Sequence, residues 1–457
     1  MMTAPFIPRL KTAVTGDPEA RFVFLGNFEV EDVWGEDEPG LPRMAFGSGS
    51  AVVNRMDEFA LLLAGAGDRV LLKAAPDPDY LAFLTGLGVE LPEIHTVSAQ
   101  NPQHTVSQDV LADSELLSRM AQWAEQGAYL SVHGVSVLEE EIAARTGIRI
   151  AGSSAQTCKA VNSKVYSRQV ADEVGLRQPA GRGCVTIAEW SAAVAWAKEI
   201  LSDGRRVVVK DAYGVSGKGI VVVDDPRRLD QMDRMVSRKA RTTGSDRVAL
   251  VVEEFVAKRA DLNYQMTVGR DDDVRFDFVK EAITESGVHK GHRIPARLDD
   301  RQEAEIRDAA RLLGERLHAD GYVGVVGVDA MVGDDERLFP VTEINARNNM
   351  STYQLPLQER FVPAGWVALA RQYPLRLPEP LPFKRLHGAL GDVLLTRAGE
   401  EGVLVNNFAT VNAAAGGDGD FDGRLYALVV APTEERVRQL DEHVAGVVAG
   451  LTERTGS

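Results

Sequence analysis

Short apolar runs alternate with helix-spaced stretches along the first third of the chain. Phe22–Leu25, Val70–Lys73 and Ala128–Val132 read as strands. Val52–Leu63, Asp79–Leu87, Asp113–Gln126 and Val137–Arg145 carry the helical period. Strands separated by helices predict a parallel α/β domain over residues 1–150, with residues 1–20 as a loosely ordered arm. The loop after the first strand, Gly26 to Gly49, is long, acidic and rich in Gly and Pro. That length marks it for substrate contact or disorder.

From residue 151 the pattern changes to an α+β one. Ala155–Val174 reads as a single helix carrying Lys159, Lys164 and Arg168, followed by a strand at Gly183–Thr186 and a helix at Trp190–Leu201. Three valines leading to Lys210 and the run Ile220–Val223 then flank a loop containing Gly214, Ser216, Gly217, Lys218 and Gly219. β-Branched runs around a glycine turn predict a hairpin with a flexible lid. Glycines let main-chain N–H groups approach an anion, and the lysines supply charge for phosphates. The loop is neither G-x-x-x-x-G-K-[ST] nor G-x-G-x-x-G. Strands follow at Val248–Val256, which ends in Glu253-Glu254-Phe255-Val256, and at Leu262–Val268 and Val274–Val279. Glu303–Leu317 reads as a helix, and Tyr322–Val332 with Leu338–Ile344 as a hairpin. After Tyr373, four prolines at 374, 378, 380 and 382 read as a linker. Beyond it lies a small α+β unit with strands at Gly391–Thr396 and Leu425–Val430 and a final helix from Glu434. The division is therefore 1–150, 151–375 and 376–457.

Composition narrows the function classes. The 457 residues suffice for two or three domains, and the net charge of −16 disfavours nucleic acid or an anionic membrane as partner. Two cysteines, Cys158 and Cys184, form neither a metal motif nor a disulfide framework. No apolar run is long enough to span a membrane, so a cytoplasmic protein is expected.

The second hairpin carries the metal chemistry. Asp329 lies on its first strand; Glu343 and Asn345 lie two apart on its second, on one face. A turn centred on Glu336 would set Asp329 opposite Glu343. Facing carboxylates raise a pKa or recruit a cation, and an amide oxygen beside them suits Mg²⁺. Arg347, on the loop leaving that strand, could hold a phosphoryl or acyl oxygen with its planar fork.

Lys164 in a helix, Lys210 before a Gly-rich hairpin, Glu253-Glu254-Phe255-Val256, and then Asp329 with Glu343-x-Asn345-x-Arg347 occur in an order that resembles the ATP-grasp ligases. The resemblance implies an ATP-grasp domain of two α+β lobes between a pre-ATP-grasp α/β domain and a small C-terminal α+β domain. It implies that Lys164 and Lys210 contact the α- and β-phosphates, with Gly214, Ser216, Gly217, Lys218 and Gly219 covering them. Glu253, Glu254, Phe255 and Val256 would border adenine, Asp261 would hold the ribose, and Asp329, Glu343 and Asn345 would bind Mg²⁺. Two positions depart from the family: Ser163 stands where an Asp commonly precedes the first lysine, and Gly327 where an Arg often precedes the metal Asp. Lys280, Lys290 or Arg293 would then meet the γ-phosphate.

Phe24–Phe28 (FLGNF), Glu343–Thr352 (EINARNNMST) and His387–Asp392 (HGALGD) extend the match, so that the whole chain is similar to the pheganomycin-type peptide ligases. That resemblance implies joining a nonproteinogenic, guanidino-bearing amino acid to the N-terminal amine of a peptide, using ATP and Mg²⁺. The rival readings are a ligase of two free amino acids and a non-catalytic ATP-binding protein. A homodimer is the general prior for a soluble enzyme.

Overall fold

The computed structural model describes residues 4–36, 38–41, 49–214, 219–285, 288–417 and 419–452. Three sheets organise them. The first is parallel, ordered β3-β2-β1-β4-β5, from β1 (Phe22–Leu25), β2 (Arg69–Leu72), β3 (Glu93–Thr96), β4 (Tyr129–Val132) and β5 (Arg149–Ile150). The expected arm is instead a helix, Phe6–Thr15, because Phe6, Leu10 and Val14 recur every four residues and bury one face.

The second sheet has four antiparallel strands, ordered β6-β9-β7-β8: β6 (Gly181–Thr186), β7 (Val207–Asp211), β8 (Ile220–Val223) and β9 (Arg247–Glu254). The expected helix over 155–174 is broken into Ala155–Val161 and Lys164–Glu173. Asn162 and Ser163 cause the break by bonding the backbone locally. Asn162 Nδ2 donates to Cys158 O at 2.7 Å, and Ser163 Oγ caps the new helix by accepting from Val165 N at 3.3 Å. Lys164 therefore opens a helix rather than lying mid-helix.

The third sheet runs β14-β13-β10-β11-β12-β15-β17-β16. Its strands are β10 (Lys258–Val268), β11 (Val274–Glu285), β12 (Val288–Ile294), β13 (Gly324–Gly333), β14 (Leu338–Asn345), β15 (Val367–Leu377), β16 (Gly402–Asn407) and β17 (Phe421–Ala431). The stretch expected to begin a linker after Tyr373 is strand through Leu377, and β15 joins β12 to β17 across the 375/376 boundary. Pro374 is tolerated because the pairing with β12 ends at Arg371, before the missing donor matters. The run Gly391–Thr396, expected as a strand, begins with a 3₁₀ turn at Gly391–Val393.

Gly291 is required where β12 meets β15. A Cβ there would stand 1.9 Å from Ala370 O, a backbone atom that cannot yield without breaking the ladder. Gly291→Ala should therefore cost about 2–3 kcal/mol, the upper range of overpacking. Urea denaturation of the two proteins checks this, and a change within about 0.5 kcal/mol would contradict it.

Candidate functional site

The site is a row of side chains on one face of the third sheet. Glu343 faces Asp329, Asp329 faces Asn263, and Asn263 faces Lys280, across four adjacent strands. The Asp329–Glu343 opposition arises by a different route from the one expected. Met331 pairs with Phe339 and Val332 with Leu338, so the turn is centred one residue earlier, at 335. Extra residues around Pro340 on β14 form a bulge between those pairs and Asp329, and they restore the opposition.

The carboxylates are separately supported. Asp329 accepts from Asn263 Nδ2 at 2.9 Å and Asn345 Nδ2 at 3.3 Å. Withdrawal from water and the facing Glu343 push its carboxyl up to about 6. Glu343 accepts from Lys164 Nζ at 2.6 Å, and Lys164 also donates to Gly214 O at 2.8 Å. Among the described residues no group of three or more His, Cys, Asp and Glu could hold a metal. A cation site here therefore needs the Asn345 amide as well. The donor set is all oxygen and anionic, and Asn263 Oδ1 is a buried acceptor with no hydrogen-bond partner beside it. Those residues fit Mg²⁺.

Arg347 closes this side. Its Nε donates to Glu31 Oε1 at 2.9 Å and its Nη2 to Asn345 Oδ1 at 3.0 Å, so it links the helix Val30–Gly35 to the row. Gly327 has a packing reason to lack a side chain, since a Cβ would come 2.4 Å from Asn349 Nδ2.

The second sheet brings other expected residues together. Lys210 Nζ pairs with Glu253 Oε2 at 2.5 Å, and Arg168 Nη1 holds the other oxygen at 3.1 Å. Arg168 lies four residues after Lys164 on one helix face, a spacing that could have assigned it a role. Glu254 pairs with Arg205 at 2.8 Å and its N–H donates to Ala180 O, while the Phe255 N–H donates to Arg206 O. Val256 is the second residue past the end of β9. Asp261 pairs with Lys258 at 2.6 Å. Gly214 and Gly219 are the described residues on either side of the expected glycine loop. Gly219 has φ +78°, and a Cβ there would meet the Asp211 carboxylate at 2.6 Å. Ser216, Gly217 and Lys218 lie outside the described residues.

The three candidate cations for the γ-phosphate divide. Arg293 is committed elsewhere, bonding Pro295 O at 2.8 Å and pairing with Glu434 of the last helix. By register it shares the face of Glu281, opposite to that of Lys280. Lys290 lies on β12 beside Gly291. Lys280 is 0% exposed and belongs to the row. Its Nζ donates to Ser351 O at 3.3 Å and lies 4.3 Å from the Phe278 ring centroid. Burial lowers it to about 7. The residues missed from sequence are Asn263, which holds Asp329, and Glu31, which holds Arg347. Neither has a local signal, because each partner comes from a distant segment.

With this geometry in place, comparison with known proteins defines the class. The Pre ATP-grasp domain family matches residues 56–148 and the ATP-grasp domain family matches residues 183–353. The chain thus carries a pre-ATP-grasp domain followed by an ATP-grasp domain. It is similar to the [Butirosin acyl-carrier protein]–L-glutamate ligase of Niallia circulans, 28% identical over 201 residues, 44% of this chain and 46% of that one. It is also similar to the arginine-specific carbamoyl phosphate synthase large chain of Bacillus subtilis (strain 168), 23% identical over 66% of this chain and 29% of that one. The matched segments span less than half the length of these relatives. The fold matches a biotin carboxylase–β,γ-ATP complex from Campylobacter jejuni with TM-score 0.57 and 13% identity, over 95% of this chain and 96% of that one. No described helix is long and apolar enough to cross a membrane.

Lys280 gives a stability prediction with a definite sign. Its folded pKa lies below its unfolded value, so the unfolded chain binds the extra proton between about pH 7 and 10.5. Wild-type stability should rise with pH through that window. Lys280→Met should flatten the rise and gain about 3 kcal/mol at pH 6, from a shift of roughly three units discounted for relaxation. Thermal and urea unfolding from pH 6 to 10 measure this. A wild-type stability that is flat or falling over that window would refute the buried, uncompensated lysine.

Proposed function

We propose that the protein is an ATP- and Mg²⁺-dependent carboxylate–amine ligase that joins a guanidino-bearing amino acid to the N-terminal amine of a peptide. The observation that carries the chemistry is the row Glu343–Asp329–Asn263 with Lys164 held on Glu343. Carboxylate oxygens beside the Lys164 ammonium support a reading in which the former hold a cation and the latter meets a phosphate. Asp329, Glu343 and Asn345 would hold Mg²⁺, which when bound offsets the negative charge of the nucleotide's phosphates. Lys164 and Lys210 would take the α- and β-phosphates. Glu253 to Val256 would border the base, Asp261 the ribose, and the glycine loop, including Ser216, Gly217 and Lys218, would cover the phosphates.

A donor carboxylate oxygen attacks the γ-phosphorus and the bond to the β-phosphate oxygen breaks, giving an acylphosphate and ADP. The acceptor amine nitrogen then attacks the acyl carbon. Phosphate departs with the bridging oxygen, and the nitrogen loses a proton to leave the amide. No side-chain nucleophile is needed; the residues position groups and stabilise charge. Arg347, anchored by Glu31 and Asn345, steadies the acyl oxygen. Lys280, which belongs to the row, or Lys290, on β12, would meet the γ-phosphate, with Arg293 set apart by its pairing to Glu434.

The relative that acts on an acyl-carrier protein favours one alternative acceptor, a carrier-bound amine. ATP, Mg²⁺, a guanidino-bearing amino acid and a peptide mixture should yield peptides extended at the N-terminus, with one ADP and one phosphate per bond, by mass spectrometry. Dipeptides alone, or ADP release indifferent to every carboxylate, would refute the peptide reading. Lys210→Ala should weaken ATP binding about 10–100-fold, the loss of one close charge-assisted phosphate contact. Unchanged affinity in calorimetry would remove Lys210 from the nucleotide site.

A further inference from the structure

The N-terminal sheet has its topological switch point between β1 and β4, where strand order reverses, and crevices outside the carboxyl ends at such points receive ligands. Two loops converge there. Asn27 Oδ1 accepts from His133 N at 2.9 Å, and Asn27 Nδ2 donates to Gly134 O at 2.7 Å. The next residue, Phe28, packs on His133 and on Tyr353, with ring centroids 4.2 and 5.1 Å apart. Glu31 holds Arg347. Glu29 lies between Phe28 and Glu31.

Glu29 is 8% exposed, and neither of its carboxyl oxygens has a hydrogen-bond partner elsewhere among the described residues; its own backbone N–H lies alongside. The charged groups that face it are Asp57, Glu139 and Lys73. Lys73 is already taken, pairing with Asp109 at 2.7 Å and donating to Asn101 O and His104 O. Glu139 is satisfied by Ser136 N, Ser136 Oγ and Ser107 Oγ. Asp57 spends Oδ2 on Lys73 N, while its Oδ1 has no hydrogen bond, with Arg55 Nε 3.6 Å away. A buried carboxyl without a partner is costly, so one kept just past the carboxyl end of β1, at the switch point, is suited to a cation supplied from outside.

We propose that Glu29, backed by Asp57, receives a cationic nitrogen group of the donor amino acid, either a guanidinium or an α-ammonium. This rests on the ligase reading for the identity of the donor. Burial, reinforced by Asp57, pushes the Glu29 carboxyl up to about 8. At pH 7 it therefore holds a proton, which an arriving cation displaces.

Calorimetry of wild type and Glu29→Gln with arginine, norleucine and 5-guanidinopentanoate, at pH 7 in two buffers of different ionisation enthalpy, tests this. Arginine should bind wild type with proton release. Glu29→Gln should weaken arginine about 10–100-fold and abolish the release. If the guanidinium is the group read, 5-guanidinopentanoate follows arginine and norleucine is unaffected; if the α-ammonium is read, the two exchange behaviour. Equal weakening of all three ligands, weakening of none, arginine binding without proton release, or no binding to wild type would each overturn the proposal. Should Glu29→Gln not fold, Glu29→Asp takes its place and should keep proton release while weakening arginine. Proton-linked arginine binding without carboxylate-dependent ADP release would remove the ligase reading and leave the cation site standing.

Discussion

The structure depends on two carboxylates set opposite each other on neighbouring strands. Asp329 and Glu343 repel, and every group near them offsets part of that repulsion. Lys164 neutralises Glu343, and Asn263 and Asn345 donate to Asp329. Asn345 is in turn held by Arg347, and Arg347 by Glu31 of the N-terminal region. The chain of contacts runs from the first helix after β1 to the opening turn of the helix Lys164–Glu173. Removing any member leaves a partner short of charge or hydrogen bonds, which is costly in a partly dry site.

That arrangement also explains the backbone devices around it. Ser163 caps the helix that opens with Lys164, a position where Ser and Asp serve nearly equally. A Ser in place of the family's common Asp therefore leaves the lysine's placement intact. Gly327 leaves room for the Asn349 amide, and the Pro340 bulge returns Asp329 and Glu343 to opposition after a turn that would otherwise set them out of register.

Much of this was legible in the sequence. Alternation and β-branched runs located the strands, and same-face spacing of Glu343 and Asn345 followed from the two-residue period. Less legible were features set by tertiary contact. Asn162 and Ser163 read as interior helix residues until their side chains find backbone partners. The prolines after Tyr373 read as a linker, yet β15 continues to Leu377 because β17 pairs along its whole length. Arg293 looked free to meet phosphate, and it is taken by Glu434, which lies 141 residues away. Asn263 and Glu31 gave no signal, since what singles them out is only the residue each meets across the fold.

The central claim is that Asp329 and Glu343 share a divalent cation with the nucleotide. Melting temperature with ATP over a magnesium titration, for wild type and Glu343→Gln, tests it most directly. The substitution keeps shape and removes one charge. Without magnesium the variant should melt somewhat below wild type, since the buried Lys164 loses its ionised partner and this outweighs the eased repulsion from Asp329. With magnesium and ATP, wild type should gain stability through linked binding and the variant should lose most of that gain. Identical magnesium dependence in the two proteins would contradict the account.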